Sequence, residues 1–309
     1  MGYNYTYVYL SSPSYVGSSF LELIMSAHPQ VATGGELAFN FSKYYQCTCG
    51  KRFCDCEFWT DWQNKVRAEG LPFEIGSLNI NLQPTVGKGF WDSLFYYEFA
   101  SAFVNNFRDW IYTFPSFYRE WGAVAQDAVS RAEKYAEILC QSENAPVFFD
   151  SSKNPYQVRF LSRHLKNRFK LIYMMRNARA QINDLMKREK RSLEEAVLLF
   201  RWYSRNLERI IKHYVRPEDV FRIRYEDLCD DTTDMLKSLC RFLEIEQFPE
   251  LTPEMATLPN KYHFLTNMYQ PFKEIQLQDD KRWQSELSSE QIAYIDKELG
   301  SINKFYGYE

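Results

Sequence analysis

No stretch of this 309-residue chain approaches the roughly 18 to 20 consecutive apolar residues of a membrane-spanning helix. Charge of one sign is missing too: 37 Lys and Arg face 40 Asp and Glu, a net charge of -3. That balance argues against a protein whose main business is a nucleic-acid backbone, while local basic clusters can still hold small anions. Internal repeats, low-complexity tracts and linker-like runs are absent, so residues 1–309 are expected to form a single domain with a large core. The first residues run straight into a strand pattern. These absences predict a soluble, cytoplasmic protein with neither a nucleic-acid nor a membrane partner; a homodimer is left open.

Cysteine is not used as a disulfide scaffold uses it. The chain has seven, an odd number, and Cys140, Cys229 and Cys240 are scattered, which suits a reducing compartment. The other four form one knot, CTCGKRFCDC, with Cys47, Cys49, Cys54 and Cys56. Four thiols so close could close a tetrahedral zinc site, yet the usual spacing is CxxC, and two CxC pairs strain toward one metal. The knot is therefore read as free thiols in a surface loop, with no metal.

The most informative stretch is YTYVYLSSPSYVGSSFLELIMSAHP, Tyr5 to Pro29. A β-branched and aromatic run stops at Ser11-Ser12-Pro13, and Phe20, Leu23 and Ile24 then repeat at helical spacing up to His28-Pro29. Between strand and helix lies a small polar loop, Ser12 to Ser19. Gly17, Ser18 and Ser19 open the helix, so backbone N–H groups and the helix dipole point at whatever sits there, and an anion such as phosphate is the natural guest. The loop lacks the Lys of GxxxxGK[ST], which excludes a Walker A motif. A plain helix cap at Ser18 would also account for these residues.

Further on, QVATGGEL (Gln30 to Leu37) reads as a second strand whose Gly pair delivers Glu36 to its carboxyl end, where an open α/β sheet has its ligand crevice. A lone Glu after a Gly pair is more often a solvated turn residue. Residues 90 to 121 hold 14 aromatics in 32 positions, among them Trp91, Phe103, Trp110 and Trp121. Helix core is the default for such a set, and part of it could wall an acceptor pocket. Strand Pro146 to Phe149 ends in Asp150-Ser151-Ser152-Lys153, with Pro155 starting a helix. Strand Phe169 to Met175 ends at Arg176, and the next helix sets Asp184 and Arg188 four residues apart on one face. A long helix (Leu193 to Tyr214), a strand (Val220 to Tyr225) and a final helix opened by the capping box SSEQ at Ser288 complete the pattern. Strands alternating with helices predict an α/β fold with a mostly parallel central sheet flanked by helices.

The loop SSPSYVGSSFLELIMSAHP, then GGEL, SSKNP, LIYMMRNARA and RYEDL, resemble in order the landmarks of the sulfotransferases that use 3′-phosphoadenosine 5′-phosphosulfate (PAPS), most of all the bacterial and protein-tyrosine branches. The resemblance implies a three-layer, P-loop-like fold, with residues from about 38 to 142 forming a helical, aromatic-rich cap on the acceptor side. It implies that Ser14, Tyr15, Val16, Gly17, Ser18 and Ser19 cradle the 5′-phosphosulfate. Arg176 would bind the 3′-phosphate, with Asn183, Asp184, Arg188 and Tyr225 around it. Glu36 falls at the general base and Lys153 at the lysine that contacts the transferring group; the acceptor would be a small molecule and the product PAP. Two departures stand out. The family loop usually carries Arg or Lys after its proline, where this chain has Ser14, so the missing charge is expected from Lys153. The serine expected eight residues after Arg176 is Asp184, a poor neighbour for a phosphate dianion, so either Asn183 substitutes or the phosphate sits differently.

The residue types suit that chemistry on their own account. Sulfuryl transfer resembles phosphoryl transfer, needing an in-line path, stabilisation of charge on equatorial oxygens and a base for a neutral hydroxyl. Glu36 can supply the base, with His28 and His263 next in line, and Lys153 the cation. The competing readings are a P-loop-type kinase or NTPase with Asp150 as its Walker-B-like carboxylate, and an inactive PAP-binding module.

Overall fold

The computed structural model describes residues 3–38, 42–78, 80, 115–248, 263 and 279–308. Five strands make one sheet in the order β2 (Val31–Gly35), β3 (Val147–Lys153), β1 (Thr6–Ser11), β4 (Arg168–Met175), β5 (Val220–Arg224), and every pairing is parallel. The helices are α1 (Ser18–Ser26), α2 (Glu57–Ala68), α3 (Pro115–Glu143), α4 (Pro155–His164), α5 (Ala178–Arg188), α6 (Leu193–Tyr214), α7 (Tyr225–Asp230), α8 (Thr232–Leu243), α9 (Trp283–Glu286) and α10 (Ser289–Phe305). This is the α/β class that the alternation of strands and helices predicts.

Alternation along β1 divides the core in two. Tyr5, Tyr7 and Tyr9 face one layer, with residues of α2 to α6 and α10, while Val8 and Leu10 face the other, with α1 and α8. Each buried tyrosine hydroxyl finds an acceptor, which is why three can stand in a core: Tyr5 donates to the Glu133 carbonyl at 2.7 Å, Tyr7 to Asp150 Oδ2 at 2.7 Å and Tyr9 to Gln157 Oε1 at 2.8 Å. The described part of residues 38–142 joins the tyrosine layer, with Trp59, Trp62, Phe73 and Tyr135 in the same cluster. Most of the aromatic-rich stretch, residues 90 to 114, lies outside the described residues. No helix among the described residues is long and apolar enough to cross a membrane.

β1 sits mid-sheet, and the chain passes from β3 on one side of it to β4 on the other. That switch of direction opens a crevice at the strands' carboxyl ends, directly over the β1–α1 loop. β3 runs further than its apolar run suggests, through Asp150-Ser151-Ser152 to Lys153. Polar residues can stay in a buried strand here because Asp150 accepts from Tyr7 and from the Ser152 N–H at 2.9 Å.

The capping box at Ser288 forms in both directions, Ser288 accepting from the Gln291 N–H and Gln291 from the Ser288 N–H. Ser288→Ala is expected to cost about 1 kcal/mol of unfolding free energy and Ser289→Ala much less, read from denaturant midpoints.

Candidate active site

The site is built by two irregularities in the sheet. Between β1 and β3 the register slips from Tyr9 opposite Asp150 to Ser11 opposite Lys153, so β3 holds one extra residue. Between β2 and β3 it slips the other way, Thr33 facing Phe149 and Gly35 facing Asp150. Bulges re-aim the side chains that follow them. Here they turn Glu36 and Lys153 toward each other, and Lys153 Nζ donates to Glu36 Oε1 in a close ion pair. Glu36 is buried, and the lysine side chain keeps 19% of its exposure, enough to be reached from the crevice.

Both backbones are held in place. Gly35 takes φ +85°, a left-handed value that glycine adopts without penalty, and its N–H donates to Thr33 Oγ1 at 3.1 Å. Lys153 takes φ +66° with a full side chain, an uncommon state for a non-glycine residue. Its carbonyl is clamped by the hydroxyls of Ser11 at 3.0 Å and Tyr203 at 2.6 Å, which compensates the strain. Tyr9 donates to the next carbonyl, Asn154, at 3.0 Å. Tyr203 and Tyr9 carry no sequence signal for this role, because an aromatic on a helix or strand face reads first as core.

The anion loop follows β1. Gly17 is the N-cap of α1 at φ +81°, and the helix has no side-chain cap, so its first N–H groups face the loop. A Cβ at Gly17 would lie 2.5 Å from the Tyr225 ring, so only glycine lets Tyr225 close over the loop. Val16 is buried in the α1-side core and fastens the loop from below. Ser12, next to the loop, is buried, and its hydroxyl has no hydrogen-bond partner among the described residues.

Arg176 at the end of β4 joins the loop to the far side of the crevice. One nitrogen donates to the Tyr15 carbonyl and to Asp184 Oδ2, both at 2.8 Å, the other to Asp280 Oδ2 at 3.1 Å, and the guanidinium lies over the Tyr225 ring. Arg188 binds Asp184 at 3.0 Å and covers the Tyr15 ring. Arg282 reaches both Asp280 and Asp184. Three guanidiniums against two carboxylates leave one positive charge in this network. Asn183 turns its amide to Glu286, and Gln181 reaches in its place to the Ser14 carbonyl at 3.0 Å. The predicted residues Arg176, Asp184, Arg188, Tyr15, Gly17 and Tyr225 therefore meet. Asp280 and Arg282 were not foreseen, lying about a hundred residues later in a stretch without periodicity.

Glu22 was also missed, although a lone acid in FLELIM could have signalled it. It is fully buried on α1. Burial, then the charge of Glu36, push its pKa from 4.5 up to about 8, while Lys153 pulls it down. Burial likewise pushes Asp150 up to about 6 against its hydrogen bonds from Ser152 and Tyr7. Neither fallback base faces the crevice. His28 precedes β2 at the opposite end of the sheet and bonds the Glu246 carbonyl at 3.0 Å, and His263 lies against Cys47 and Cys56.

At its carboxyl edge the parallel sheet thus carries a helix N-terminus without a side-chain cap and a carboxylate–ammonium pair. The chain matches the sulfotransferase family model over residues 94–250, just over half its length, and belongs to that family. The match spans Lys153, Arg176, Asp184, Arg188 and Tyr225, while the loop and Glu36 precede it. Among solved structures the chain is similar to the sulfotransferase domain of the curacin biosynthetic pathway, at 15% identity and TM-score 0.46, covering 100% of this chain and 99% of that one. It is also similar to the sulfotransferase domain of the Synechococcus PCC 7002 olefin synthase, at 14% identity and TM-score 0.46 over 100% and 97%. A sulfotransferase from Alicyclobacillus acidocaldarius aligns at 12% identity and TM-score 0.44 over 100% and 98%. No curated protein matches in sequence.

Glu22 gives the site a pH signature. Its folded pKa lies above its ordinary value, so the folded state holds the extra proton and wild-type stability falls as pH rises from about 4.5 to about 8. Glu22→Gln removes that loss. Its stability relative to wild type should climb across this window, by up to about 1.4 kcal/mol per pH unit, in denaturant titrations at stepped pH; a flat difference above pH 6 would show an ordinary carboxylate.

Proposed function

We propose that the protein transfers the sulfuryl group of PAPS to a hydroxyl or amine of a small-molecule acceptor, with Glu36 as general base and Lys153 as the cation of the transfer. The observation that carries this reading is the buried Glu36–Lys153 pair set beside an uncapped anion loop. When bound, PAPS supplies an activated sulfuryl group and PAP as leaving group.

The residues fit such a donor at both ends. The N–H groups at Gly17, Ser18 and Ser19, with the Ser12 hydroxyl, would hold the 5′-phosphosulfate. Arg176, Arg188 and Arg282 would hold the 3′-phosphate. For that, Asp280 has to release Arg176, and Asp184 stays as the residue that orients it.

The pair also couples the two halves of the chemistry. As Glu36 takes the acceptor's proton it loses its charge, so Lys153 loses its ionic partner and its ammonium becomes available to negative charge building on the leaving side. One buried ion pair thus serves as base before the proton moves and as a released cation afterwards. The kinase alternative is weaker because Asp150 commits both oxygens inside the fold, one to Tyr7 and the other to Ser152.

Incubation with labelled PAPS and a panel of alcohols, phenols and amines should move label to an acceptor. PAP should raise the melting temperature more than AMP, since only PAP has a second phosphate for the Arg176 network, and Arg176→Ala should erase the difference. Equal shifts from PAP and AMP with wild-type protein, and no label transfer, would contradict the proposal.

A further inference from the structure

The cysteine knot has a geometry that free thiols do not require. Cys47, Cys49, Cys56 and the distant His263 place one ligand atom each within 4.8 Å of all the others. Cys49 Sγ lies 3.7 Å from Cys56 Sγ, Cys47 Sγ is 3.9 Å from Cys56 Sγ, and His263 Nδ1 is 3.9 Å from Cys47 and 3.2 Å from Cys56. Tetrahedral zinc, with Zn–S near 2.3 Å and Zn–N near 2.0 Å, sets its ligands about 3.5 to 3.8 Å apart. The four atoms approximate the corners of such a shell.

Local structure shows how CxC spacing can serve one metal. Residues 47 to 50 form a turn rather than a strand, closed by the Gly50 N–H on the Cys47 carbonyl at 2.8 Å, with Gly50 at φ +86°. The turn brings the Cys47 and Cys49 sulfurs within 4.8 Å of each other, where an extended chain would space two such side chains about 7 Å apart along one face. Cys54 drops out: it lies in the short 3₁₀ turn Phe53–Asp55 with its sulfur on Asp55, while Cys56 is buried at the start of α2. His263 takes the fourth corner, its ring stacked on Phe58 with centroids 5.1 Å apart and planes 11° from parallel. Hydrogen bonding explains the cluster poorly, since S–H is a weak donor and three sulfurs and one ring nitrogen would have to share few protons.

We propose that Cys47, Cys49, Cys56 and His263 bind a structural zinc ion, which replaces the reading of the knot as free thiols. Four protein ligands close the shell, so the ion acts as a staple and not as a catalyst. Binding releases the three thiol protons and leaves the neutral imidazole, a centre of net charge -1. The staple fastens the stretch after Glu36 to a residue more than 200 positions later. The inference does not depend on the donor or the acceptor.

Elemental analysis of the full-length protein is expected to find about one equivalent of zinc. A mercurial titration of native protein with a zinc indicator should release it as the ligand thiols react. Cobalt substitution should give thiolate-to-metal absorption and tetrahedral bands typical of three sulfurs and one nitrogen. Cys54→Ser should keep the metal, and Cys56→Ser and His263→Ala should lose or weaken it. Metal-free protein with all its thiols titratable, a Cys47–Cys56 disulfide, iron in place of zinc, or loss of metal in Cys54→Ser would overturn the proposal. The wild-type metal content and cobalt spectrum decide the matter even if a ligand variant fails to fold.

Discussion

The contact on which the rest of this site depends is the ion pair between Glu36 and Lys153. A buried carboxylate or amine is costly alone, and removing one partner of such a pair typically destabilises by about 3 to 5 kcal/mol, so each residue requires the other. Neither reaches its partner from a regular strand. Bulges on both sides of β3, a left-handed Gly35 and a left-handed Lys153 aim the two side chains, and the hydroxyls of Ser11 and Tyr203 hold the strained lysine backbone. A further acid, Glu22, lies close enough to feel both charges, and its raised pKa keeps it from adding a second negative charge for Lys153 to balance near neutral pH.

The anion loop and the Arg176 network complete the crevice from the other side of β1. Tyr225 lies between them, closed over Gly17 and stacked under Arg176, so this ring and the hydrogen bond from Arg176 to the Tyr15 carbonyl fix the loop and the guanidinium relative to each other. Asp184 then has a physical role. It fixes Arg176 and Arg188 together, and the third guanidinium, Arg282, keeps the network cationic.

Much of this architecture was legible from residues. The Leu193–Tyr214 helix, the Phe169–Met175 strand, the capping box at Ser288 and the strand–loop–helix at the start follow from periodicity and end signals that tertiary packing did not override. Glu36, Lys153 and Arg176 could be named because each ends a strand. Three things were out of reach. The left-handed state of Lys153 comes from hydroxyls on β1 and α6, which no local pattern reveals. The partner of Arg176 at Asp280 and the partner of the cysteines at His263 come from sequence separations of about a hundred and two hundred residues. The four cysteines of the knot read alike as free thiols because spacing alone does not show that a turn at Gly50 and a 3₁₀ segment at Phe53 set Cys54 apart from the other three. Glu22 is another kind of miss: the signal was visible as a charge on an apolar helix, but only the fold shows that Glu36 and Lys153 lie over it.

The central claim is that Glu36 removes the acceptor's proton, and its most direct measurement is turnover of labelled PAPS with an aliphatic alcohol by Glu36→Gln, alongside PAP binding by the same variant. The substitution keeps the shape and removes the base. PAP binding should stay near wild type while kcat falls by on the order of a hundredfold or more, with a smaller loss for an acceptor that sheds its proton easily. Unchanged kcat with the alcohol would contradict the account and place the base elsewhere.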